Sequence, residues 1–138
     1  MNVDSRSANI VINVLALCAA LLSVVGTGYI INHAFQARRA EDDTAALTMN
    51  AIAGDLDSRR TLASCYVDGC PPLPRSEIIA CAWRKIIAEG PESGEDDRTR
   101  LHAVCDPLSA SEQEISENAK ASLQRRIQAR RAAARAEP

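Results

Sequence analysis

From Ile10 to Ile31 the chain reads IVINVLALCAALLSVVGTGYII, without one charged side chain. A helix rises about 1.5 Å per residue, so this run is long enough to cross a hydrocarbon core of about 30 Å. It constrains where the protein resides and which way the rest of it faces. A cleaved signal peptide needs a shorter apolar stretch ending in a small-residue site. The exit here is Ile30-Ile31-Asn32-His33-Ala34-Phe35-Gln36, with no such ending. A lipoprotein signal needs a small residue before its cysteine, whereas Cys18 follows Leu17 in mid-run. We therefore expect an uncleaved signal anchor: a tail over 1–9 and one transmembrane helix over 10–35.

Two signals disagree on orientation. Arg6 stands ahead of the run and Arg38 and Arg39 behind it, so a count of basic residues favours a cytoplasmic C-terminal side. The cysteines favour the opposite. Beyond Cys18 the chain holds Cys65, Cys70, Cys81 and Cys105, an even set in a small domain, which suits two disulfides and an oxidising compartment. We give the cysteines the greater weight. The expectation is a single-pass protein of a bacterial inner membrane with its C-terminal domain in the periplasm.

The run carries small residues at helical spacing: Ala16, Ala20, Ser23 and Thr27, with Ala19 alongside. Small side chains let a second helix approach closely, so these five are the candidate membrane-helix interface, although Ala and Gly are common in any membrane helix. Asn13 is costly if it faces lipid, and Tyr29 suits an interfacial position.

Of the 138 residues, those outside the anchor allow one small domain, which usually needs staples or a partner. Alanine and arginine are abundant and β-branched clusters scarce, so the expected fold class is all-α. A net charge of −2 excludes little, but acid collects at Glu41–Asp43 and Glu89–Asp97 and base at the C-terminus. We expect a helical stalk over 36–56, with Leu47, Ala51, Ile52 and Leu56 in helical period. A hairpin domain follows over 57–108. Its first helix would be capped by Asp57 or Ser58 and stopped by Asp68-Gly69. Ser76 would start the second, whose broad apolar face (Ile78, Ile79, Ala82, Trp83, Ile86, Ile87) makes it the central element. An acidic loop, Glu92 to Asp97, leads to a short helix through Leu101 and Cys105. A C-terminal helix over 109–138 begins at Ser109–Glu112 or Ser111–Glu114, either a possible capping box. It carries a stripe of Ile115, Ala119, Leu123 and Ile127, then a basic tail.

Residues Leu62 to Gly90 resemble a Sel-like repeat, a tetratricopeptide-related helical hairpin. Leu62-Ala63, Tyr66 and Gly69 match its first half, and Ala80, Trp83-Arg84-Lys85 and Glu89-Gly90 its second. The segment LSASEQEISENAKASL looks like the helix that often closes such proteins. The chain departs from the family in its CPPLPRS turn, in a slightly longer spacing between Gly69 and Trp83, and in Ile86-Ile87, where a small pair is usual. The resemblance implies a helical interaction module and carries no catalytic residues.

As disulfides, Cys65–Cys70 would tie a helix end to the turn and Cys81–Cys105 would tie the central helix to the next. Four cysteines allow three connectivities, and a zinc site or free buried thiols are the alternatives. The short Cys-x-x-Cys knuckles of zinc sites and redox motifs are absent. His33 and His102 lack paired metal-ligand spacing. Asp42-Asp43 and Asp96-Asp97 read as solvated charge, and no phosphate loop or serine elbow occurs. We therefore expect no enzyme activity, no catalytic residue, no metal, no cofactor, no small-molecule substrate and no nucleic acid. The basic tail (Arg125, Arg126, Arg130, Arg131, Arg135) suits a helix C-terminus or contact with membrane lipid or an acidic partner. Tyr66 and Trp83 would dock a partner or pack under the flanking helices. The reading is a membrane-anchored interaction or scaffold protein whose partner is another membrane or envelope protein. The alternatives are an accessory single-helix subunit of a larger membrane complex, such as a respiratory one, and a periplasmic redox or metal-binding protein.

Overall fold

The computed structural model describes residues 32 and 34–136. The chain divides into two compact units, Met1–Arg39 and Ala40–Pro138. The apolar run and the five small residues proposed for its interface lie outside the described residues. So do His33, the tail 1–9 and most of the expected transmembrane helix. Among the described residues no helix is long and apolar enough to cross a membrane.

The described chain is all-helical: α1 over residues 34–53, then α2 (Leu56–Asp68), α3 (Glu77–Ala88), α4 (Glu95–Cys105) and α5 (Ala110–Ala136). Gly54 ends α1 at φ +120°, a value L side chains rarely adopt, and the amides of Gly54 and Asp55 both donate to the Asn50 carbonyl. The chain then reverses at once. Asp55, not Asp57 or Ser58, caps α2: its carboxylate accepts from the Ser58 amide at 2.7 Å. The early cap draws Leu56 into α2. The stretch expected to be a stalk over 36–56 belongs, from Ala40 onward, to the compact unit. Ala51 and Ile52 are buried and Leu47 packs beside them.

Gly69 closes α2 in the left-handed region, φ +80°, with its amide on the Cys65 carbonyl at 2.8 Å. The Ser76 amide donates to the Tyr66 carbonyl at 2.7 Å, holding the proline-rich turn against the helix it left. The Ser76 hydroxyl in turn caps α3. Ala80 to Arg84, Ile86 and Ile87 are all buried, because α3 packs against α2, α4 and α5. Its breadth of apolar surface in the sequence corresponds to this central place.

Two expectations need correction. Glu95, Asp96 and Asp97 are not loop residues; they form the first turn of α4, where acid is favoured by the helix dipole. And the buried seam of α5 is not Ile115-Ala119-Leu123-Ile127. Ile115 is 54% exposed, while Ser116 is fully buried and Lys120, Leu123 and Ile127 continue the seam. Residues four apart drift about 40° per step around a helix, so Ile115 lies about 120° from Ile127. Ser109 and Glu112 form the capping box: the Ser109 amide donates to the carboxylate at 2.9 Å and the Glu112 amide to the hydroxyl at 3.4 Å.

Lys85 pairs with Glu117 at 2.9 Å, and Glu89 receives Lys120 and Gln124. Numbers rise together in these pairs, so α3 and α5 run in the same direction. The main core joins Ala51, Ile52, Leu62, Ala63, Trp83, Ile86, Ile87 and Ile127, and a smaller cluster holds Cys81, Cys105 and Leu108.

Candidate functional site

The four cysteines form two disulfides. Cys65–Cys70 joins the end of α2 to the turn, with Cα atoms 4.9 Å apart. Cys81–Cys105 joins α3 to the end of α4, with Cα atoms 5.2 Å apart. All four sulfurs are thereby taken, and among the described residues no group of three His, Cys, Asp or Glu side chains is placed to hold a metal. His102 is an exposed residue beside Asp106, one turn on.

Trp83 and Tyr66 meet at one hollow but play different parts. Trp83 is 1% exposed and forms the floor together with Leu62, so it packs under the flanking helices. Tyr66 is half-buried and stands on the rim with Ile79 and Leu123. Thr48 of α1 and Ala119, Ser122 and Arg126 of α5 complete a hollow of about 230 Å³. Four helices wall it, so its apolar floor is held by the core itself. Arg126 is the one cation of the basic tail at its edge; the other tail arginines are exposed on α5.

Between α2, α3 and α4 lies a polar system the sequence reading missed. Asp97 is 2% exposed and is not solvated charge. Arg60 grips it with two parallel bonds, Nε to Oδ1 at 3.0 Å and Nη2 to Oδ2 at 2.7 Å, and the Gly94 amide adds a third at 3.1 Å. The Arg60 hydrogen bonds hold the Asp97 carboxyl below the usual carboxylate range. Beside this pair Arg84 is 3% exposed. Its Nη2 donates to the Ser64 hydroxyl at 2.9 Å, while its Nε and Nη1 are buried without a partner among the described residues. Burial lowers the Arg84 pKa, and the nearby Arg100 charge lowers it further.

Two signals bear on why these residues were missed. The Arg60–Asp97 pair spans 37 residues of sequence, and no local pattern marks a partner at that distance. Arg84, however, lies four residues after Ala80 and three before Ile87, both buried, so helix periodicity places it on the inner face of α3. A third arginine, Arg59, is 8% exposed and donates from Nε to the Ala51 carbonyl at 2.8 Å, tying α2 back to α1.

Compared with known proteins, the chain matches no family model, no curated protein and no solved structure.

Proposed function

We propose that this chain is a membrane-anchored, non-enzymatic interaction protein of the bacterial envelope. Its charge-free run would be the anchor, and a disulfide-stapled helical module of Sel-like kind would be held on the oxidising side. The observation that carries this reading is the hollow at Tyr66. Its floor is rigid because Trp83 and Leu62 belong to the core, and its rim of Tyr66, Ile79 and Leu123 is half-exposed apolar surface. Interfaces concentrate binding energy in such aromatic-rimmed, well-supported recesses. The two disulfides support the oxidising side, since such bonds persist outside reducing compartments.

The test is site-specific photo-cross-linking in native membranes. A photoreactive residue replacing Leu123, on the rim, should give one discrete adduct, and one replacing Ala132, exposed further along α5, should give none. Tyr66→Ala should abolish the adduct. Replacing Ile10 to Ile31 by an unrelated anchor should preserve it. An adduct lost with the anchor swap but kept in Tyr66→Ala would put recognition in the membrane helix, as for an accessory subunit.

A further inference from the structure

Arg84 is a cation almost wholly removed from water, and among the described residues no carboxylate is bonded to it. Burying a charge is costly unless it is paired, and the protein pairs Arg84 only with a neutral hydroxyl. Asp97, the nearest buried acid, is committed to Arg60 through both oxygens. Arg100, on the exposed face of α4, makes no ion pair among the described residues, and its charge and that of Arg84 repel. Among the described residues the protein thus holds two neighbouring guanidinium groups with no carboxylate bonded to either.

Arg84 and Arg100 both line two hollows. One, of about 280 Å³, is bounded by Arg60, Arg84, Arg100, Asp96 and Asp97. The other, of about 230 Å³, places Ser64, Val67, Asp68, Ala103 and Val104 around the same two arginines. Arg60 is spent on Asp97, so the charges left around the two hollows are Arg84 and Arg100 with the exposed Asp68 and Asp96 at the edges. Those two aspartates would repel a doubly charged phosphate more than a singly charged carboxylate. Guanidinium groups match the planar carboxylate with parallel N–H donors. The second hollow adds the apolar side chains Val67, Ala103 and Val104, which suit a short aliphatic group next to the charged head.

We propose that Arg84 and Arg100 form a binding site for a monoanionic carboxylate carried on a short branched aliphatic group, either a free acid or the C-terminal residue of a peptide. The carboxylate would be held by the two arginines and the aliphatic part would lie on Val67, Ala103 and Val104. The site is separate from the hollow at Tyr66 and does not depend on the function proposed for it. Arg60 and Asp97 act here as positioning residues: their pair commits both Asp97 oxygens, so Asp97 acts on Arg84 through space and not through a hydrogen bond.

The experiment uses the full chain in mild detergent at constant ionic strength, with thermal unfolding as the readout and isobutyrate, acetyl-valine, valinamide and inorganic phosphate as probes. Isobutyrate and acetyl-valine should raise the midpoint saturably, valinamide should not, and phosphate should do less at equal concentration. Arg100→Gln, at an exposed position, should weaken the carboxylate effect about tenfold. Arg98→Gln, paired with Glu95 outside the hollows, should leave it unchanged. Tighter binding of acetyl-valine than isobutyrate identifies a peptide terminus as the source, and the reverse identifies a free acid. An unsaturable shift, equal shifts in Arg100→Gln and the parent, or a larger effect of phosphate would each overturn the proposal.

Discussion

Replacing Cys81 and Cys105 together by alanine opens a bridge between residues 24 apart, whereas replacing Cys65 and Cys70 opens one between residues 5 apart. A disulfide stabilises chiefly by restricting the unfolded chain, and the restriction grows with the logarithm of the closed loop. On that scale the long bridge is worth about 3.5 kcal/mol and the short one about 2 kcal/mol. Packing widens the gap. Cys81 is fully buried and Cys105 nearly so, within a cluster completed by Leu108, while Cys65 and Cys70 are only half-buried. Alanine at 81 and 105 therefore also leaves sulfur-sized gaps in that cluster. Small domains have about 5–15 kcal/mol in all, so the double variant at 81 and 105 should lose a large part of its stability. Urea unfolding of residues 40–138, followed by emission of the single, buried Trp83, measures both variants. We expect the midpoint to fall clearly further for the 81/105 pair than for the 65/70 pair. Equal losses, or the reverse order, would refute the loop-length reasoning and show that the Cys65–Cys70 bridge holds the turn in a way the folded geometry does not reveal.

Trp83→Ala should destabilise the same unit by about 3–5 kcal/mol, enough to leave it largely unfolded by circular dichroism, because the ring fills the core between α2, α3 and α5. Ser116→Ala should stabilise it slightly, by about 1 kcal/mol in urea titration, because the Ser116 hydroxyl is buried without a partner among the described residues and alanine favours a helix. Asp97→Asn should cost about 2–3 kcal/mol at pH 7 and flatten the acid limb of the stability profile. The native pKa of Asp97 lies below its unfolded value, so its contribution is complete above about pH 4 and is lost as pH falls through the native pKa. Urea titrations from pH 7 to pH 2 should show the parent and variant converging at the acid end.

Much of the local structure was legible because it rests on neighbouring residues. Ser76 and Ser109 cap the helices they precede, Gly69 stops α2, and the wide apolar face of α3 marks it as central. What escaped depended on competition or on distance. Asp55, Asp57 and Ser58 are all acceptable caps, and the left-handed Gly54 decided for the first by turning the chain early. A stripe with a constant step of four along α5 drifts off the seam within three turns. Of the candidate site, Tyr66 is on a rim and Trp83 beneath it. The burial of Asp97 and the unpaired state of Arg84 depend on how α4 packs against α3, which periodicity within one helix does not encode.

The proposed function requires the module to reside, oxidised, outside the reducing compartment. The direct measurement is the mass of the intact chain taken from native membranes after alkylation under denaturing, non-reducing conditions. Of its five cysteines, one should be alkylated, and peptide mapping should place that label on Cys18. Reduction before alkylation should expose the other four. Alkylation of Cys65, Cys70, Cys81 and Cys105 without reduction would mean that the module meets a reducing compartment, and would contradict both the topology and the staples on which the fold relies.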